Sequence, residues 1–379
     1  MQKCSLVPRL NYNYCLRDCT NAIRGLSRKQ PDYSPLRELF DYGDFFFVNH
    51  GRTGLRIALT ALSLQPGSRI GVTAYNCRTV FQAIEAAGHN PVFIDITKGL
   101  RLDTSSLEKQ GRNLDALIVT HLYGLVNAVD EIQRIIPGIP VIEDCAHAFL
   151  SGDDKNYAGT GGDFGVFSMG KGKFPSIGDG GIIVVNNSKY LDRTRELTQQ
   201  LPARSLTDEL LSITGSILLS VIHNPLVYGI FTSPFLKSDG DRQYRKSSFR
   251  VKAILKSNLS VLLNGIDNYR QSVEQHLHNA RNNIEVVRDL VKPCPDLYVI
   301  SGSNWNHFMV PVLSHERDLV IDNAKKNGYE LGRHFSHSVE WAGQYGYMKG
   351  DCPVSEYVAE NIIAIPTYYK MRRRNESIG

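Results

Sequence analysis

Between positions 140 and 181 the chain reads Pro-Val-Ile-Glu-Asp-Cys-Ala-His-Ala, then a glycine-rich loop, then Gly-Val-Phe-Ser-Met-Gly-Lys-Gly-Lys-Phe-Pro-Ser-Ile-Gly-Asp-Gly-Gly. A short apolar run ending in Glu143 and Asp144 has the form of a buried parallel strand with chemistry at its carboxyl end. Open α/β sheets hold their ligands at that end. A second short run ends in Ser168, and Lys173 follows five residues later among the turn formers Gly170, Gly172, Pro175 and Gly178. A lysine amine forms a Schiff base with an aldehyde. A carboxylate keeps a pyridinium nitrogen protonated, and a hydroxyl with backbone N–H groups at a turn holds a phosphate. Lys173, Asp144 and Ser168 match these three needs of pyridoxal 5'-phosphate. On residue types alone, a capping Asp and a solvated Lys fit equally well, because any α/β protein offers an Asp at a strand end.

Taken together, Glu-Asp-Cys-Ala-His-Ala, Phe-Ser-Met-Gly-Lys-Gly-Lys and Gly-Asp-Gly-Gly resemble the core of the DegT/StrS-type, pyridoxal-phosphate-dependent sugar aminotransferases. In that family an acidic residue follows a VIED strand. The cofactor lysine lies five residues after a serine and ahead of a GxGG turn, which selects Lys173 over Lys171. The resemblance implies the α/β fold type I aminotransferase architecture, with a mostly parallel seven-stranded sheet in a large domain and a smaller C-terminal α/β domain. It implies transfer of an amino group from an amino acid, usually glutamate, to a keto-sugar, usually nucleotide-linked, in polysaccharide or amino-sugar biosynthesis. It also implies a homodimer with both subunits lining each site. Lys173 and Asp144 would be the catalytic pair. His147 stands where many members carry Gln near the cofactor's 3-oxygen; a core His satisfied by backbone is the alternative. Some relatives carry His in place of the lysine and deoxygenate sugars, and Lys173 argues against that chemistry here.

The elements that must position these residues are visible as patterns. Residues 45–48 form a strand candidate running into Asn49-His50-Gly51-Arg52-Thr53-Gly54, then a helical spacing of Leu55, Leu59 and Leu62. A strand, a glycine turn and a helix start make an anion-binding nest. The turn matches the family's SGTxAL phosphate turn with Gly51 retained, His50 in place of Ser and Arg52 in place of Thr, so Gly51 and Arg52 are carried over as cofactor-binding. After a strand at 69–73, the family's ring-stacking aromatic falls on Cys77; either Tyr75, two residues away, substitutes for it or Cys77 itself packs on the ring, so both are carried over as cofactor-binding. Strands are expected at 91–96 and 116–120, the latter ending in His121-Leu122-Tyr123-Gly124, similar to the family's HLYG segment at the rim of the site. The family's NYR triad, whose Asn reaches the neighbouring subunit's cofactor phosphate, reads Ser248-Phe249-Arg250 here. Ser248 and Arg250 are carried over on that basis. Alternation of strand and helix over 45–187 predicts a mostly parallel sheet with helices on both faces. No Gly-x-Gly-x-x-Gly follows the first strand, which speaks against a nicotinamide dinucleotide site. Residues 250–291 carry helical spacing, and 305–312, 318–327 and 332–335 read as strand, helix, strand.

The chain has 379 residues, 42% hydrophobic and 21% charged, the balance of a soluble globular protein with a large core. Its net charge of +5 is too small to argue for nucleic acid. Seven cysteines without a Cys-x-x-Cys pair give neither a disulfide framework nor a metal site. The first residues lack a signal-peptide pattern, so a cytoplasmic setting is expected. Residues 213–231 are apolar enough to span a bilayer on paper, but His223-Asn224-Pro225 at their middle favours a buried helix pair or a lid broken there. Membrane-surface contact is the minor reading. The expected organisation is an arm at 1–43, a large cofactor-binding domain at 44–245 with 205–245 as lid or insertion, and a small domain at 246–379. Substrate specificity is expected from the arm, from 205–248 and from the loop around His334. Two other readings stay open: another pyridoxal-phosphate enzyme, such as a lyase or amino-acid transaminase, and a degenerate cofactor-binding regulatory protein. The substitutions at His50, Cys77 and Ser248 sustain the latter.

Overall fold

The computed structural model describes residues 5–10, 12, 14–27, 31–40, 43–111, 113–153, 156–232, 250–290 and 296–372. After helices α1 (Leu16–Ser27) and α2 (Ser34–Arg37), strand and helix alternate. The elements are β1 (Asp44–Val48), α3 (Gly51–Ala61), β2 (Arg69–Thr73), α4 (Arg78–Ala86), β3 (Asn90–Ile94), α5 (Thr104–Gly111), β4 (Ala116–Thr120), α6 (Val129–Ile135) and β5 (Val141–Asp144). A small hairpin, β6 (Gly152–Asp153) and β7 (Asn156–Tyr157), precedes β8 (Phe164–Ser168), β9 (Gly181–Val185) and α7 (Leu191–Gln199). The second half holds α8 (Leu206–Ile222), α9 (Pro225–Val227), α10 (Lys256–Leu290), β10 (Tyr298–Val299), β11 (Met309–Leu313), α11 (Arg317–Lys326), α12 (Ser338–Gly343), α13 (Pro353–Asn361) and β12 (Ile362–Pro366).

Among the described residues the main sheet has seven strands in the order β1-β9-β8-β5-β4-β2-β3. Strands β3, β2, β4, β5 and β8 run parallel; helices make the crossovers into β2, β3, β4 and β5, while the β6–β7 hairpin and its flanking loops lead into β8. Strand β9 is reached by a loop instead and pairs antiparallel with both β8 and β1. The runs Ala-Leu-Ile-Val-Thr (β4) and Gly-Ile-Ile-Val-Val (β9) are buried throughout, which explains why they lack polar alternation. Strand order reverses between β2 and β4, so a crevice opens at their carboxyl ends. The second sheet, β10-β11-β12, is antiparallel. One apolar cluster joins its strands to Tyr75, Leu122 and Tyr123, so the C-terminal unit packs across the mouth of that crevice.

Three expectations are corrected. Helix α10 starts at Lys256 rather than near 250. Residues 332–335 are no strand: Gly332 makes one bridge to Ala364, and the chain then turns, with Phe335 at φ 56°. The apolar stretch does break at Asn224-Pro225, where the Asn224 side chain accepts the Leu226 N–H and Pro225 opens α9. It is not a buried pair, however. The residues of α8 that are buried are Glu209, Ile213 and Ser216, and its outer side faces away from the body. Ser248 lies outside the described residues.

Candidate active site

Strand β5 delivers Asp144 to the crevice fully buried. Asp144 Oδ1 accepts the Ala146 N–H at 3.1 Å. The Thr120 hydroxyl donates to the carboxylate as well, while accepting from Asn76 Nδ2 at 2.8 Å. Asn76 and Thr120 sit at the carboxyl ends of β2 and β4, so residues from three strands orient one carboxylate. Burial pushes the Asp144 pKa up; the Ala146 N–H, Lys173, His121 and Thr120 oppose it. A cation at this spot would relieve a buried acid short of positive charge.

Lys173 reaches the same space from the loop between β8 and β9. Its Nζ lies 2.8 Å from His147 Nε2. His147 Nδ1 accepts the Tyr123 backbone N–H at 3.1 Å, so the neutral imidazole carries its proton on Nε2. An Nε2–H facing Nζ needs a lone pair there, which only the uncharged amine has. Electrostatics agree: burial lowers the Lys173 pKa, against the pull of Cys77 and Asp144. Burial, then Lys173 and His334, hold His147 well below its ordinary value. The cluster is arranged for a neutral lysine nucleophile.

The turn before α3 meets Ser168. A Cβ on Gly51 would lie 2.7 Å from Ser168 Cβ, so glycine is required by close approach. A Cβ on Gly181 would lie 2.7 Å from the His50 carbonyl carbon, and His50 bridges Gly180. Helix start, serine strand end and Gly-Gly turn thus close into one cradle at the positive end of an 11-residue helix. Burial lowers the His50 pKa, and Arg52 and Arg204 add to this against Asp179, a sign of a positive field suited to an anion.

The structure brings Asp144, His147, Lys173 and Cys77 together, and Gly51 with Ser168 beside His50 and Arg52. Cys77 is half-buried, with Sγ 3.1 Å from Thr79 Oγ1. Tyr75 is drawn elsewhere: its hydroxyl donates to His334 O at 2.7 Å and lies 3.0 Å from the Tyr123 hydroxyl, in the C-terminal cluster. Arg250 is exposed, and what approaches the cradle is its carbonyl, which accepts from Asn49 Nδ2 at 2.9 Å. His121 is structural. Its Nε2 binds Glu143 at 2.7 Å, and Glu143 also accepts the N–H groups of Gly159, Gly161 and Gly162. Sequence reasoning missed Asn76 and Thr120, whose only sequence signal is a polar residue following a strand. It named the loop of His334 for substrate specificity, not for contact with His147. His334 is half-buried, its ring 5.1 Å from that of His147, and its Nε2 is shut off from solvent with no hydrogen-bond partner among the described residues. Phe335 stacks on His147 at 5.5 Å and 3°.

Residues 40–212 match the DegT/DnrJ/EryC1/StrS aminotransferase family. This part of the chain belongs to that family. GDP-perosamine synthase of Escherichia coli O157:H7 is 32% identical over 150 residues, which cover 38% of this chain and 41% of that enzyme. The dTDP-3-amino-3,4,6-trideoxy-alpha-D-glucose transaminase of Micromonospora megalomicea subsp. nigra is 23% identical over 334 residues, covering 85% of this chain and 79% of the relative. The crystal structure of DesI in the presence of its TDP-sugar product has the same fold, at a TM-score of 0.70 and 20% identity, covering 96% of this chain and 88% of that one. The matched segment spans about two-fifths of the perosamine synthase, and the DegT/DnrJ/EryC1/StrS match ends at residue 212, inside α8.

The residues present fit pyridoxal phosphate. The buried acid, the neutral amine, the glycine-walled cradle at a helix start and the orphaned His334 Nε2 each answer a polar group of that cofactor. No aromatic side chain occupies the position of Cys77.

Proposed function

We propose that the chain is a pyridoxal-phosphate-dependent aminotransferase that moves an amino group from an amino acid, glutamate in the first instance, to a nucleotide-linked keto-sugar. The observation that carries this is the 2.8 Å contact of Lys173 Nζ with a His147 ring whose tautomer demands an uncharged amine. Bound pyridoxal phosphate supplies an electron sink for charge developing at the donor's α-carbon. Lys173 Nζ anchors the cofactor and, once released, is the base that takes and returns the α-proton. Asp144, aimed by Thr120 and Asn76, holds a proton on the cofactor's ring nitrogen. Ser168, Gly51 and Arg52 bind the phosphate with the α3 start. His147, and His334 from the C-terminal unit, orient polar groups and help exclude water.

The same reading assigns 1–43 to an arm, 44–245 to the large cofactor-binding domain and 246–379 to the small domain, in a cytoplasmic homodimer. Two sheets with distinct pairing, joined through Tyr75 and His334, support the division. Ser248 and Arg250 are kept as residues directed at a neighbouring subunit's site. The names of the relatives support a nucleotide-linked acceptor. The test is a pair of half-reactions. Glutamate should convert the cofactor to its amine form, and a nucleotide-linked keto-sugar should convert it back. Failure of glutamate with success of another amino acid would change the donor; failure of every keto-sugar would favour an amino-acid transaminase.

A further inference from the structure

Helix α8 is attached to the body by one side only. Glu209 accepts the N–H groups of Lys256 and Ser257 at 2.8 and 3.1 Å and the Ser257 hydroxyl. Ser212 Oγ donates to Asn258 Oδ1 at 3.3 Å, and Asn258 Nδ2 donates to both Asp179 O and Oδ1. A Cβ on Gly178 would lie 3.1 Å from the Ser216 hydroxyl. The helix therefore sits directly behind the loop that carries Lys173. Its C-terminal half is fixed by the arm: Tyr14 N–H donates to Ser220 Oγ at 2.6 Å, and Tyr12 packs on His223. Tyr228 is tied to Glu330.

The outer side offers nothing polar to match. Leu206, Leu210, Leu211, Ile217, Leu218 and Val221 are all exposed, Leu211 by 66% and Leu218 by 59%. At helical spacing they fill one arc of about 140°, shared with Thr207 and Thr214 alone. The Thr214 hydroxyl donates back to Leu210 O, which turns its polarity inward. Leu226, Ile230 and Phe231 continue the apolar surface past a bend of 69°. Nine large apolar side chains expose on the order of 900 Å², above the roughly 300–600 Å² of the largest patch on an ordinary soluble monomer.

Two observations select the occupant. A protein partner would ask for about one hydrogen bond per 100–200 Å², and this arc has almost none to give. The sequence that follows is basic: positions 237–256 hold seven Lys and Arg against two Asp, a surplus equal to the net +5 of the whole chain. An apolar helical face followed in the sequence by a basic stretch suits an anionic lipid surface. No single helix among the described residues is long and apolar enough to cross a membrane; α8 and residues 225–231 reach that length and apolarity only together, and a 69° bend separates them. We propose that the outer face of α8 with residues 226–231 docks the protein on an anionic bilayer surface without crossing it. The active-site loop then lies just behind the headgroups. This does not depend on the chemistry at Lys173.

The test is flotation of the full-length protein with phosphatidylcholine vesicles and with vesicles containing one-third phosphatidylglycerol. It is run on the wild type and on Leu211→Glu/Leu218→Glu, with light scattering for oligomeric state. Both leucines are exposed, so the variant should fold, which a melting curve checks. The expected result is binding to anionic vesicles, weaker on neutral ones and at high salt, and reduced more than about tenfold in the variant. Wild type that fails to float with either vesicle overturns the proposal. So does a variant that floats as well as wild type. A variant that lowers the oligomeric state without any wild-type vesicle binding would show that the face joins two copies, and also overturns it.

Discussion

At the scale of single residues, the site is organised by protonation. His147 is held in one tautomer by a backbone N–H, and burial together with that ring favours the uncharged form of Lys173. Uptake of pyridoxal phosphate should therefore rise with pH through a midpoint below lysine's ordinary 10.5; stopped-flow absorbance across pH reads it. Asp144 works against the fold that holds it. Its folded pKa is raised by burial, so the unfolded chain ionises first and stability falls as pH rises from the ordinary carboxylate value through the folded one. Asp144→Asn should raise the melting temperature of the cofactor-free protein at about pH 7 and leave it unchanged at about pH 3, while slowing amino transfer about 100-fold or more. Calorimetry and a half-reaction assay read the two effects. Asp144 and Ser168 were picked out because each ends a short apolar run, and Lys173 because its spacing from Ser168 resembles the family's; residue types alone left a capping Asp and a solvated Lys equally open. Asn76 and Thr120 were not, because their bond joins positions 44 apart and no local pattern encodes it.

At the scale of elements, local signals served well wherever one face was uniformly buried. The β-branched runs of β2, β4, β5 and β9 announced buried strands, and Gly51 marked a turn whose reason is now visible. Gly51→Ala should cost about 1–3 kcal/mol in urea unfolding, because the new Cβ meets Ser168 at a packed strand end, and should sharply weaken cofactor binding through the same cradle. Helix α8 shows the limit of such reading. Apolar content and a Pro break located its two pieces, but composition does not say which side meets the body. That is decided by Glu209, Ser212 and Ser216, polar residues that a hydropathy argument assigns to solvent. The turn at 332–335 failed for a related reason: Phe335 adopts a left-handed conformation, which a β-favouring aromatic does not advertise.

At the scale of the whole molecule, the C-terminal unit closes the crevice through a few specific contacts. Asp95, just past β3, accepts the N–H groups of Val354 and Ser355 and the Ser355 hydroxyl at the start of α13. Asn306 Nδ2 donates to the carbonyls of His147 and Phe149. Asp95→Ala should cost about 2–3 kcal/mol and increase hydrogen exchange in α13 more than in β4 or β5. The same closure brings His334 over Lys173, a relation between residues 161 apart that the sequence could only hint at by naming a loop.

The central claim is that Lys173 is the cofactor's anchor and the base of an amino transfer. The most direct measurement is to incubate the protein with pyridoxal phosphate, record its visible spectrum, add glutamate, and in parallel reduce with borohydride and map the labelled peptide, for wild type and Lys173→Ala. The account predicts a visible band that glutamate bleaches, a label on the peptide containing Lys173, and neither in the variant. A label on another lysine, or a wild-type band that survives in Lys173→Ala, would contradict it.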